Sequence, residues 1–254
     1  MFTILLVLIP TFFYLFIIWI TIPKTIKLKG IFYYLLFGMS SIVLIRVIHN
    51  TIPGFFLPHS SSLIFINHKI DFFLYLSIIQ IGMIEEISKF FSFVIIKKFL
   101  IIKEKIHPLG VMVNYGMVGL SFGALENLHY ANQYGDGIIF SRSVTAMLLH
   151  LLLGLISGYC MALIDLKPNK LNESRLDGLF KKYRIFKISF YSICGIGIST
   201  IIHGIYNFNL FIGTESSWSI MLTQLCVTLF ITYIGAKHLI SRFKKDLIKL
   251  KNYF

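Results

Sequence analysis

Four short patterns put ionisable or amide side chains inside runs that otherwise read as hydrocarbon. Glu85 and Glu86 are followed three or four positions on by Lys89, so a helix would carry all three on one side. Phe122 and Glu126 stand four apart with Asn127 adjoining, His150 sits in a leucine-rich stretch, and His203 and Asn207 are again four apart. Each ionisable group at membrane depth costs about 2.5 to 3.5 kcal/mol even on the lenient insertion scale, so a cluster of them points to a functional site. The chemistry open to this set is hydrolysis without a nucleophilic Ser or Cys. Two adjacent carboxylates in a low-dielectric interior resist ionising together, while Lys89 favours keeping one of them ionised. One glutamate can then act as general base on a water while another group stays neutral and holds that water in place. His203 and Asn207, one turn apart, can jointly donate to a developing oxyanion. Neighbours on a helix point about 100° apart, so either Glu85 or Glu86 is open as the base.

Small residues accompany these groups in register. Gly116, Gly119 and Gly123 lie near the side of Glu126; His150, Gly154 and Gly158 repeat every four residues, as do Gly195, Ser199, His203 and Asn207. Such stripes let helices approach closely in lipid, which aims the polar groups into one shared interior.

The elements that must position them are membrane helices. The 254-residue chain is 56% hydrophobic and only 14% charged, with a mean hydropathy of +0.79, which excludes an ordinary soluble domain. Its net charge of +13 falls between the hydrophobic runs and forms no stripe interleaved with exposed aromatics, so nucleic acid is not the expected partner. An all-α, polytopic bundle follows, with about seven spans at 2–22, 30–49, 71–96, 108–131, 138–163, 186–210 and 217–238. Apolar patches within 55–66 raise the option of a re-entrant piece. Lys and Arg concentrate in alternate loops: Lys24, Lys27 and Lys29, then Lys97 to Lys105, then Lys167 to Lys187, then Lys237 to Lys251. That asymmetry predicts an N-terminus outside and a C-terminus in the cytosol of a multi-pass cell-membrane protein. Residues 1–238 read as one membrane domain, its first span a retained helix. Residues 239–254 read as a basic tail, with Leu239, Phe243, Leu247, Leu250 and Phe254 on one side. A helix lying on an anionic leaflet and a merely solvated tail suit it equally.

Plainer roles are expected elsewhere. Arg46 and Arg142 sit near span ends, where snorkelling explains them. Cys160, Cys194 and Cys226 read as packing residues, and His59, His68, His107 and His129 belong to loops or interfaces.

In order along successive helices, E-E-x-x-K at Glu85 to Lys89, F-x-x-x-E at Phe122 to Glu126, His150, and H-x-x-x-N at His203 to Asn207 resemble the PrsW family of intramembrane proteases. That family is grouped with the CAAX prenyl endopeptidases among glutamate-type membrane peptidases. The resemblance covers roughly residues 80–210. It implies that Glu85 and Glu86 include the water-activating carboxylate, that Glu126 replaces a second-motif histidine, that His150 is the extra histidine of this branch, and that His203 and Asn207 form the oxyanion site. Lys89, Phe122 and Asn127 would support them. E-E-x-x-K with F-x-x-x-E points away from prenylated substrates. The resemblance implies a single-span membrane protein as substrate, membrane-anchored anti-sigma factors being the substrates associated with the family. No cofactor and no metal are expected on this reading, and the surrounding partner is lipid.

Other classes predict different features. A transporter would use Glu, Lys and His as a proton relay, yet the chain has no inverted repeat or Pro-interrupted pair of half-helices. A zinc peptidase could draw ligands from His150, His203 and the glutamates, yet there is no H-E-x-x-H. A non-catalytic relative on the same scaffold would keep the fold without the reaction.

Overall fold

The computed structural model describes residues 2–22, 31–51, 69–99, 107–165, 177–213 and 217–251. All regular structure among these residues is helical. In chain order the helices are α1 (Phe2–Thr21), α2 (Ile31–Gly38), α3 (Ser40–Thr51), α4 (Lys69–Tyr75), α5 (Ile84–Phe99), α6 (Pro108–Tyr134), α7 (Ile139–Arg142), α8 (Leu148–Asp165), α9 (Asp177–Ile212) and α10 (Ser217–Lys251). Two π-helical stretches interrupt this series. Leu76–Met83 joins α4 to α5, and Ser143–Met147 joins α7 to α8.

Six of these segments are long and apolar enough to cross a membrane: Phe2–Thr21, Ile31–Ile48, Pro108–Tyr134, Asp136–Ile164, Ile185–Ile212 and Trp218–Arg242. The protein is an integral, multi-pass membrane protein. The remaining span expected from the sequence, 71–96, is helical throughout. It carries three charged residues, Glu85, Glu86 and Lys89, within five positions, where each of the other six has an apolar 18-residue window with at most two. Large side chains such as Phe12, Phe16, Trp19, Phe32, Phe230 and Ile234 are exposed on the outer helices. Lipid would cover them, since a bilayer imposes no cost on an apolar exterior.

The bundle is built around α6, which starts cleanly. Pro108 occupies the first turn, where its missing N–H costs nothing, and the His107 ring accepts from the Leu109 N–H at 3.0 Å. From Leu109 to Ala124 α6 is buried on every side. Glycines allow this, because a Cβ on Gly154 would lie 2.8 Å from the Tyr115 carbonyl oxygen and one on Gly158 would lie 2.6 Å from that of Met112. The α6 and α8 backbones therefore touch along three turns, as the glycine register predicts. A second polar seam ties α8 to α9: Ser157 Oγ lies 2.9 Å from Ser199 Oγ, and Ser199 donates to the Leu153 carbonyl at 3.1 Å.

Gly135 (φ 88°) and Gly213 (φ 61°) end α6 and α9 in backbone conformations that favour glycine. Their N–H groups cap the Ala131 and Asn209 carbonyls. Helix α10 runs without a break from Ser217 to Lys251, through the boundary expected at 238. Leu239, read from the sequence as part of the apolar side of the tail, is fully buried in the core. The possible re-entrant stretch at 55–66 and most of the basic loops lie outside the described residues.

Candidate active site

The glutamate pair enters the bundle directly after the π-helical stretch Leu76–Met83. Wider turns of this kind shift the phase of the residues that follow and recur at functional sites. The same stretch lies backbone to backbone against α9. A Cβ on Gly82 would be 3.1 Å from the Thr200 carbonyl oxygen, and one on Gly204 would run into Ile78. His203 precedes Gly204, so this crossing delivers its ring to the glutamates.

Five side chains from four helices then form one unbroken series. His203 Nδ1 is 3.0 Å from Glu86 Oε1, which is 2.7 Å from Lys89 Nζ. Lys89 Nζ is 2.9 Å from His150 Nδ1, and His150 Nε2 is 2.9 Å from Glu126 Oε2. The two imidazoles meet edge to face with centroids 4.9 Å apart. Lys89 also lies 4.2 Å from the centroid of the Phe122 ring, which meets His150 edge-on. Phe122 therefore forms an aromatic wall that favours a cation beside it. Glu86, Lys89 and His150 are essentially sealed from the exterior, whereas the Glu85 side chain retains 12% exposure.

Donor and acceptor capacity assigns the protons. An ionised carboxylate only accepts and an ammonium only donates. His150 therefore carries its proton on Nε2, donating to Glu126, and accepts from Lys89 at Nδ1. His203 donates from Nδ1 to Glu86, which leaves Nε2 as a lone pair 3.7 Å from Glu85 Oε2. That glutamate oxygen has no hydrogen-bond partner among the described residues. Two acceptors thus face each other and call for a shared donor or cation.

The site holds more than the sequence motifs indicate. Arg142, expected to snorkel, instead turns inward: its Nη2 is 2.7 Å from Glu126 Oε2 and its Nε is 3.1 Å from Asn127 Oδ1. Its guanidinium stacks 3.7 Å from the centroid of the Tyr130 ring. The half-buried Glu126 carboxylate and the Asn127 amide oxygen supply the acceptors that hold it there. Periodicity gave no sign of this, because an α-helical wheel sets Arg142 and His150 about 80° apart, and the π turns between them change that angle. Asn127 is buried and serves Arg142, not the glutamates. Asn207 is half-buried one turn beyond His203 and has no part in the connected series. His129 is exposed and His107 caps α6.

A family model described as PrsW family intramembrane metalloprotease matches residues 28–235. The chain belongs to the PrsW family. Helix α1 lies outside the matched residues, and the whole connected series lies within them. No curated protein and no solved structure matches the chain. PrsW membership makes it an intramembrane peptidase by family, and the family's description raises the question of a metal. Glu85, His150 and His203 each offer a ligand atom, all within 4.8 Å of one another. One carboxylate and two imidazoles suit a single divalent ion. Glu85 Oε2 and His203 Nε2 are available to it as they stand. His150 is engaged at both nitrogens, so either Lys89 would have to leave Nδ1 or Glu126 would have to leave Nε2 for that ring to join.

Proposed function

We propose that this PrsW protein hydrolyses a peptide bond of a single-span membrane protein by glutamate-activated water, without a metal. The observation that carries the reading is the pair of facing acceptors, Glu85 Oε2 and His203 Nε2, 3.7 Å apart. A water between them donates to both. Glu85 is the base, since it keeps some exposure and its unpartnered Oε2 faces His203 Nε2, while Glu86 is wholly buried and holds Lys89 and His203 through Oε1, its own Oε2 being unpartnered too. Glu85 takes one proton from the water as its oxygen attacks the scissile carbonyl carbon. The carbonyl oxygen becomes an oxyanion, which Asn207 meets with its amide N–H. His203, drawn to the water side by Glu86, orients the nucleophile. When the C–N bond breaks, the proton on Glu85 passes to the leaving amine. Glu126, His150 and Lys89 keep the surrounding charge fixed while this occurs.

The grouping of Glu85, His150 and His203, together with the family's description, favours a second reading. These three residues would hold a divalent ion, which would supply Lewis-acid polarisation and a more acidic water. Purified protein, with and without exhaustive chelation, separates the two. Cleavage is tested on a panel of single-span membrane proteins, with membrane-anchored anti-sigma factors among them, using wild type and Glu85→Gln. Cleavage by wild type alone supports the peptidase reading, and no cleavage of any member under conditions where the fold is intact supports a non-catalytic relative.

A cell-membrane location with the N-terminus outside completes the proposal. Glu126 lies about 12 Å and His203 about 14 Å from the ends of their helices at Gly135 and Gly213, at about 1.5 Å per residue. The group therefore sits nearer the side marked by these two glycines, which the orientation makes extracytoplasmic.

A further inference from the structure

We propose that Arg142 is a positioning residue of the reaction, acting through Glu126 to set which nitrogen of His150 faces Lys89. The proposal rests on the peptidase reading above for its consequence on rate, but its structural claim about His150 can be tested separately.

Glu126 uses one oxygen, Oε2, for both Arg142 at 2.7 Å and His150 at 2.9 Å. A guanidinium only donates, so its presence keeps that oxygen an acceptor. His150 must then place its proton on Nε2, which leaves Nδ1 to accept from Lys89. If Glu126 turned away, Nε2 would lose its acceptor and His150 would be free to protonate Nδ1. An N–H would then oppose the Lys89 ammonium across 2.9 Å, donor against donor. Lys89 would be driven from a position that it now shares with Glu86 at 2.7 Å and, more loosely, with Glu85 at 3.8 Å. The influence of Arg142 thus reaches both glutamates without contact with either.

The guanidinium is itself held rigidly. Nε donates to Asn127, whose own Nδ2 reaches Ser143 Oγ at 3.5 Å and Met147 Sδ at 3.8 Å. Asn127 and Met147 are fully buried. The ring of Tyr130 closes the remaining side of the guanidinium. A planar fork that serves two acceptors while stacking on a ring is a task for arginine that a lysine point charge performs only in part. Snorkelling to the interface would need none of these contacts. Supporting groups of this kind change activity by about 10- to 100-fold when removed.

The test uses full-length protein in detergent with 15N-labelled histidine. Wild type is expected to show His150 as the Nε2–H tautomer, Arg142→Lys to retain it, and Arg142→Gln to show a mixture with Nδ1–H. An unchanged tautomer in folded Arg142→Gln overturns the proposal, whether or not a substrate has been found. If Gln is not tolerated at 142, loss of the Nε2–H signal in Glu126→Leu, which has no acceptor, and its retention in Arg142→Lys carry the same information, and its survival in folded Glu126→Leu refutes the mechanism. In the activity arm, Arg142→Gln lowers kcat about 10- to 100-fold with little change in KM, and Arg142→Lys recovers part of it. Adding Arg142→Gln to Glu126→Gln has no further effect if Arg142 works only through Glu126; a fully additive loss overturns that route. Absence of cleavage by wild type would count against the peptidase reading and leave the tautomer result to decide Arg142.

Discussion

Glu85 Oε2 and His203 Nε2 approach to 3.7 Å, one from the helix after a π-helical stretch and the other from a helix pressed against that stretch. With Nδ1 of His203 committed to Glu86, both facing atoms are acceptors, and the difference between the two glutamates follows from that. Glu85→Gln should lower hydrolysis at least about a hundredfold, the scale of a lost general base, with thermal stability close to wild type. Glu86→Gln should lower activity comparably but also destabilise the protein by about 3–5 kcal/mol, because the sealed Lys89 loses its carboxylate. Cleavage rates and unfolding in detergent measure both. Equal stability of the two variants would argue against Glu86 as the anchor.

Lys89 is the hub of the series, touching Glu86, His150 and the Phe122 ring. Lys89→Met keeps the length of the stem and removes the charge. Without that cation the neighbouring carboxylates take up a proton more readily, so the acid limb of the pH–rate profile should move to higher pH. A superimposable profile would show that Lys89 is not coupled to the group that activates water.

Metal dependence divides the two hydrolase readings at the same three residues. If water is activated by carboxylate alone, dialysis against chelator leaves the rate unchanged and elemental analysis finds no stoichiometric zinc. Activity lost to chelator and restored by zinc would assign Glu85, His150 and His203 as ligands.

The crossing of α9 over the Leu76–Met83 stretch should be intolerant of any side chain. Gly204→Ala drives a methyl against the backbone of Ile78, 2.8 Å from its Cα, and should cost about 1–3 kcal/mol while separating His203 from Glu86. Gly137→Ala is the control, since an added Cβ there meets nothing within 4 Å. Unfolding measurements on both variants check this, and equal tolerance would mean that the close approach is not needed.

Mass spectrometry of products tests the proposed orientation. Cleavage is expected in or just beyond the extracytoplasmic part of the substrate helix, where the chain can unwind and offer its carbonyls. A cut on the cytosolic side would reverse either the topology or the side on which the site opens.

Hydropathy alone determined that this chain is a helical membrane protein, because about 30 Å of hydrocarbon demands long apolar runs with internally satisfied backbones. Composition also made Glu85, Glu86, Lys89, Glu126, His150 and His203 conspicuous, since each is costly in lipid. The four-residue spacing of Gly154 and Gly158 foretold a close helix approach on that side of α8, because periodicity within one helix fixes which residues share a side, while the structure supplied α6 as the partner. Relations between helices were a different matter. Choosing between Glu85 and Glu86 required knowing which one His203 and Lys89 hold, and that depends on a crossing set by Gly82 and Gly204. The inward turn of Arg142 was equally hidden, as was the burial of Leu239: one follows π turns that break the α-helical phase, and the other follows the packing of α10 on the core. Angles along a single helix repeat with the sequence, whereas distances across a bundle are decided by how closely its backbones can pack.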